Sequence, residues 1–156
     1  MVEEAIGELL LQRGWLLSTA ESCTGGMIGA RITAVPGSSG YYAGGVVAYS
    51  NAVKMGLLGV DAGLLQKHGA VSAPVAEAMA VGVLDVCGAD VAVSTTGIAG
   101  PDGGSVQKPV GLVFIGLACR NRPTFSERFI FSGNRKDIRL AASQMALEMI
   151  QRVFDL

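Results

Sequence analysis

Residues 15–26 read WLLSTAESCTGG, and the reading of these residues decides the fold. An apolar opening, Trp15-Leu16-Leu17, runs into small and hydroxyl-bearing residues and ends at the glycine pair Gly25-Gly26. That is the pattern of a buried strand ending in a turn that leads into a helix. The spacing predicts a strand over 15–21 and a helix over about 24–34. The rest of the chain keeps the same alternation. Upstream, Val2, Ile6, Leu9 and Leu10 recur at helical spacing and Gly14 closes a helix over 2–13. Downstream, 44–50 reads as a second strand, followed by short helices over 51–58 and 61–68. A longer helix spans 73–87, with Ser72 as N-cap, Pro74 in its first turn and Gly88 after its end. The stretch DVAVSTT (90–96) is a third strand. GIAGPDGGSVQKP (97–109) is a glycine-rich loop broken by Pro101 and Pro109, and strands 111–119 and 124–131 form a hairpin around RNRP. A last helix covers 135–154.

Strands alternating with helices predict an α/β fold: a three-layer α/β/α sandwich on a mostly parallel, mixed sheet with one antiparallel pair near the end. Residues 1–156 read as a single domain. In such sheets ligands collect outside the carboxyl ends of the strands. The strand ends here are AESCTGG, YSN, STTGIAG and FSGNR, all polar beside apolar strand bodies. Chemistry is therefore expected along one edge.

Composition narrows the function. Half the residues are apolar, 16% are charged and the net charge is −1, which gives no electrostatic reason for a nucleic-acid or anionic-membrane partner. No apolar run reaches the ~18 residues of a membrane span, and Val2-Glu3-Glu4 does not resemble a basic signal region. Three cysteines without CxxC spacing fit a reduced, cytoplasmic protein. The high apolar content and the amphipathic first and last helices suggest a homo-oligomer. The one histidine, His68, stands at a helix end before Gly69, where capping is favoured over catalysis, and a Ser-His-Asp arrangement would have to be built around it alone.

Four groups of residues carry chemistry. In TAESCTGG, the helix start at Thr24, Gly25 and Gly26 can offer N–H groups to an anion, with Glu21 and Ser22 beside it; simple capping by Ser22 or Thr24 reads equally well. Cys23 lacks an imidazole partner. The stretch PGSSGYYAGGVVAYSNAVK (36–54) supplies Ser38, Ser39, Tyr49 and Lys54. A serine nucleophile without histidine needs a lysine base, which burial must pull down from an ordinary pKa of about 10.4. The bland alternative makes GSSG a flexible turn, Tyr49 a core aromatic and Lys54 a solvated helix residue. STTGIAGPDGG (94–104) offers Thr95, Thr96 and Gly97, with Asp102 only a weak metal candidate. SGNR sets Arg135 at a helix start, suited to phosphate, although capping by Ser132 or Asn134 competes.

In wording and order, TAESCTGG, PGSS, AYSNAVK, GAVS (69–72) and TTGIAGPDGGSVQKPVG closely resemble the C-terminal domain of the CinA (competence/damage-inducible) family. The resemblance covers about 15–135 and implies hydrolysis of the carboxamide of nicotinamide mononucleotide to nicotinate mononucleotide and ammonia. It implies a serine–tyrosine–lysine site with no metal and no cofactor. Carried across by motif, Ser39, Tyr49 and Lys54 are the catalytic positions, with Ser39 favoured over Ser22 as the attacking hydroxyl. Glu21, Ser22, Thr24, Gly25, Gly26, Thr96, Gly97 and Arg135 are expected around the substrate. The rival reading is a non-enzymatic nucleotide-binding module with a regulatory or interaction role.

Overall fold

The computed structural model describes residues 1–155. Helix α1 (Val2–Arg13) stops where Gly14 adopts φ 65° and turns the chain. Then follow β1 (Leu17–Glu21), α2 (Met27–Thr33), a 3-10 turn (Ser38–Gly40), β2 (Tyr42–Val47), α3 (Asn51–Leu58), α4 (Ala62–His68) and α5 (Ala73–Cys87). The chain continues through β3 (Val91–Gly97), β4 (Leu112–Cys119), β5 (Phe125–Ile130) and α6 (Arg135–Val153). The five strands form one sheet in the order β2-β1-β3-β4-β5. β1 is parallel to β2 and β3, while β4 is antiparallel to both β3 and β5. Only β4 is reversed, so the expected hairpin slots its first strand against β3 and the sheet holds two antiparallel contacts instead of one.

Two apolar layers cover the sheet. Ile6, Leu10, Ile28, Ile138, Leu147 and Ile150 pack α1, α2 and α6 against one face. Leu58, Leu65, Met79, Val83 and Leu84 pack α3, α4 and α5 against the other. The three-layer sandwich expected from the sequence is the one observed. The central strands β1 and β3 are buried on both sides, yet they hold Ser18, Thr19, Ser94, Thr95 and Thr96. Buried hydroxyls need partners. Ser18 donates to the Val83 carbonyl, Thr19 pairs with the Tyr42 hydroxyl and Ser94 donates to the Ala76 carbonyl. The Ser18 and Ser94 bonds tie α5 to the sheet, and the Thr19 bond ties β1 to β2. Gly82 of α5 meets α3 so closely that a Cβ there would collide with the Leu58 carbonyl.

Several boundaries differ from expectation. β2 begins and ends earlier than 44–50, because the polar Ser50 accepts the Val53 N–H and starts α3. Ser72 caps α5 by position only, its hydroxyl donating instead to the Gly69 carbonyl. α2 begins at Met27, not 24, with Gly26 as its N-cap.

Candidate functional site

β1, β2 and β3 point the same way, and β5 runs with them, so their carboxyl ends share one edge of the sheet. A cavity of about 270 Å³ lies there, lined by Ser22, Tyr49, Asn51, Lys54, Thr96 and Arg135, with Cys23, Val71 and Ala99 among the remaining wall residues. The four polar strand ends read in the sequence each contribute to it. Two basic groups and no carboxylate line it among the described residues, a charge pattern suited to an anion.

Its centre is Lys54. Asn51–Leu58 is helical because Ser50 caps it and Gly59, at φ 67°, ends it, and this places Lys54 on the inner face of α3. The residue is 1% exposed. Its ammonium donates to Ser22 Oγ at 3.1 Å and to the Tyr49 main-chain carbonyl at 3.3 Å. Burial pulls the amine below the ordinary lysine value, because the charged form is the one that loses solvation, and no carboxylate offsets this. A neutral amine can reverse the contact, with Ser22 donating its proton to Nζ. Ser22 is itself placed by the end of β1, its N–H bonded to the Thr95 carbonyl.

Arg135, the first residue of α6, donates to the Gly100 carbonyl at 2.8 Å and to Tyr49 Oη at 3.3 Å. Asn134 caps that helix, so Arg135 remains available to the cavity. Tyr49 is 64% exposed, not a core aromatic, and its hydroxyl meets Arg135 rather than Lys54. Thr96 donates to the Ala70 carbonyl at 2.8 Å and faces the cavity with Gly97.

Other expected site residues stand elsewhere. Ser39 is exposed on the 3-10 turn before β2, whereas the cavity lies beyond the end of β2. Six residues of strand separate the two, a rise of about 20 Å. GSSG forms a 3-10 turn with Ser38 buried. Glu21 does not face the cavity. Its carboxylate accepts the Ile28 and Gly29 N–H groups at 2.9 and 3.0 Å and the Thr24 hydroxyl at 2.6 Å. The protein's own anion thus occupies the start of α2, and Thr24 is fully buried between Glu21 and Thr95. Gly25 and Gly26, at φ 60° and 103°, shape that turn rather than lining the cavity. His68 ends α4 away from the cavity and its carbonyl accepts Lys108 Nζ, while Asp102 lies in the exposed loop. Cys23 lines the wall, with burial pushing its thiol up to about 11.

Sequence reasoning missed Asn51 as a wall residue and Arg139 as a brace. Arg139 donates to the carbonyls of Cys23 and Thr24 at 3.0 and 3.3 Å and so fixes the turn that carries Ser22. An arginine one helical turn after Arg135 was the only available signal.

The family model of the CinA C-terminal domain matches residues 1–154. A CinA-like protein of Mycolicibacterium vanbaalenii is 53% identical over 97% of this chain, a match that takes up 36% of the relative's length. The chain thus spans little more than a third of that protein. PncC of Enterobacter agglomerans, a nicotinamide-nucleotide amidohydrolase, is 49% identical over 96% of this chain and 91% of its own. The crystal structure of the competence/damage inducible protein CihA from Agrobacterium tumefaciens aligns with a TM-score of 0.93 at 40% identity, covering 99% of this chain and 96% of that one.

Proposed function

The chain belongs to the CinA C-terminal domain family, and from that premise we propose that it hydrolyses the carboxamide of nicotinamide mononucleotide, releasing ammonia and nicotinate mononucleotide. The observation that carries this reading is a solvent-excluded lysine amine 3.1 Å from a serine hydroxyl, in a cavity whose other charged group is Arg135. Likeness to the amidohydrolase PncC along nearly the whole of both chains supports the choice of substrate.

In the proposed reaction Ser22, not Ser39, is the nucleophile. Neutral Lys54 takes the Ser22 proton as Oγ attacks the carboxamide carbon. The tetrahedral intermediate then collapses, the C–N bond breaks, and Lys54 returns the proton to the departing ammonia. Water, deprotonated by the same amine, attacks the acyl ester; as the C–Oγ bond breaks Lys54 returns that proton to Oγ, and the product acid gives its own proton to solvent and leaves as the carboxylate. Arg135 and the Tyr49 hydroxyl hold the 5′-phosphate by charge-assisted bonds. Thr96 and Gly97 form the floor beneath the ring. Glu21, Thr24, Gly25 and Gly26 act at one remove, by holding the turn that presents Ser22.

Ammonia release from nicotinamide mononucleotide by the purified chain, with EDTA present, tests the reading. Turnover is expected in the wild type and a loss of at least about a hundredfold in both Ser22→Ala and Lys54→Met. Calorimetric binding of the nucleotide without ammonia release in the wild type would establish the rival binding module instead.

A further inference from the structure

A second hollow lies against α1, at the opposite end of β2 from the reactive cavity. Glu4, Gly7, Glu8 and Leu11 recur at the spacing that sets side chains on one helical face. Val35, Pro36 and Tyr41 stand across from this stripe, and the two sides enclose a cavity of about 280 Å³. Tyr41 directly precedes β2, whereas the reactive cavity lies beyond the other end of that strand, and the two share no wall residue.

Tyr41 is 2% exposed, and its hydroxyl has no hydrogen-bond partner among the described residues. Buried hydroxyls ordinarily have one. The oxygen lies against Gly7, where a Cβ would stand 2.6 Å from it. Glycine weakens a helix interior, and at this position it makes room for the phenol head. Because Gly7 and Tyr41 both line the cavity, the unpartnered oxygen belongs to its inner wall.

The charges beside it are of one sign. Glu8 makes no hydrogen bond or ion pair among the described residues, and Glu4 has one oxygen engaged by the Met1 ammonium at 3.0 Å. The nearby Glu3 is turned away to Arg31, whose other donors go to Ser143 and Gln144. No lysine or arginine lines the cavity among the described residues. Two carboxylates one helical turn apart repel each other, and a cation between them relieves that. A primary ammonium carries three donors. The cavity presents three acceptors: the second Glu4 oxygen, the Glu8 carboxylate and Tyr41 Oη. Leu11, Val35 and Pro36 make the rest of the wall apolar, which suits a hydrocarbon chain. The volume is at the small end for a ligand pocket, enough for a chain of about five carbons.

We propose that this cavity binds a small primary alkylammonium ion, its nitrogen held by Glu4, Glu8 and Tyr41 and its chain laid against Leu11, Val35 and Pro36. The site stands on α1 and Tyr41 alone and is independent of the reaction performed at the other cavity.

Titration calorimetry with n-pentylamine hydrochloride, at pH 7 and low, fixed ionic strength, tests the site. One molecule per chain is expected to bind. The neutral counterpart, n-pentanol, should bind at least about tenfold more weakly, because the bonds to a charged nitrogen are lost. Glu8→Gln keeps the shape of the side chain and should weaken the amine by at least about tenfold. Tyr41→Phe should weaken it by about fivefold and yet melt no lower than the wild type, since the hydroxyl has no bond to lose. Ser22→Ala and Lys54→Met, which alter the other cavity, should titrate as the wild type does. The proposal is overturned by the absence of saturable heat in the wild type, by equal binding of pentanol, or by wild-type affinity in Glu8→Gln or Tyr41→Phe. A lower Tm in Tyr41→Phe, which would give the hydroxyl a partner within the fold, overturns it as well. So does ammonium chloride binding as tightly as the alkylamine, which would reduce the site to counter-ion screening.

Discussion

Glu21→Gln probes how the turn that carries Ser22 is held. The carboxylate is 2% exposed and accepts three donors: the Ile28 N–H, the Gly29 N–H and the Thr24 hydroxyl. Glutamine has the same shape but only one acceptor oxygen, so its NH2 group must face one of these donors. One bond to a charged acceptor is lost, worth about 1.5–3 kcal/mol, and a buried donor left without a partner adds about 1–3 kcal/mol. Partial rotation of the amide relieves some of this, so a loss of about 3 kcal/mol is expected. At about 2–4 °C per kcal/mol for a chain of this size, Tm should fall by about 10 °C. Urea unfolding at pH 7 measures the loss, and kcat and KM for nicotinamide mononucleotide are read well below the variant's transition. Because Glu21 does not line the cavity, kcat/KM of the folded variant should stay within about tenfold of the wild type. An unchanged urea midpoint with kcat/KM down a hundredfold would refute the reasoning and put the carboxylate on the substrate.

Lys54 titrates below the ordinary lysine value because burial disfavours its charge, so kcat/KM should climb with pH to a midpoint below 10.5. In the window between that midpoint and 10.5 the unfolded chain holds the extra proton, so wild-type stability rises with pH; Lys54→Met should lose that rise and melt no lower than the wild type at pH 7. A variant that melts lower, or keeps the rise, contradicts the assignment. Arg135→Ala should erase a preference of about ten- to a hundredfold for the mononucleotide over its riboside, leave the riboside rate unchanged, and flatten the salt dependence of kcat/KM. Equal wild-type rates on the two substrates would remove the phosphate role. Cys23→Ser should keep most activity, and iodoacetamide at pH 7.5 should label Cys23 slowly, since its thiol is pushed up to about 11; rapid labelling followed by mass spectrometry would contradict the buried, inert thiol.

The fold was legible because apolar spacing and glycine stops are local signals. α1, α3, α4 and α5 fall where periodicity and capping place them, and the four polar strand ends do meet at one edge. What the sequence withheld was direction and reach. GSSG and AESC both read as hydroxyl-bearing turns beside a strand, but one precedes its strand and the other follows its strand, a difference worth the length of the sheet. Glu21 misled for a related reason: a carboxylate before a helix suits a ligand wall as well as it suits a cap, and only the distances to Ile28 and Gly29 separate the two. Tyr49 lay close to Lys54 in sequence, yet the backbone turn sends its hydroxyl to Arg135 and leaves its carbonyl to the lysine.

The contact between Gly82 and the Leu58 carbonyl gives a remote position a hold over the reagent. Lys54 and Leu58 stand one helical turn apart on α3, so the helix is a short lever with its fulcrum at residue 82 and its load at the amine. A methyl group at the fulcrum tilts the lever, and a displacement of about 1 Å at the load is enough to cost about a hundredfold in rate. A mutational scan scored on activity alone would therefore mark position 82 as severely as the cavity wall, although Gly82 is not among the residues that line the cavity. Scoring the same variants for abundance as well as rate would distinguish the fulcrum from the groups that touch the ligand.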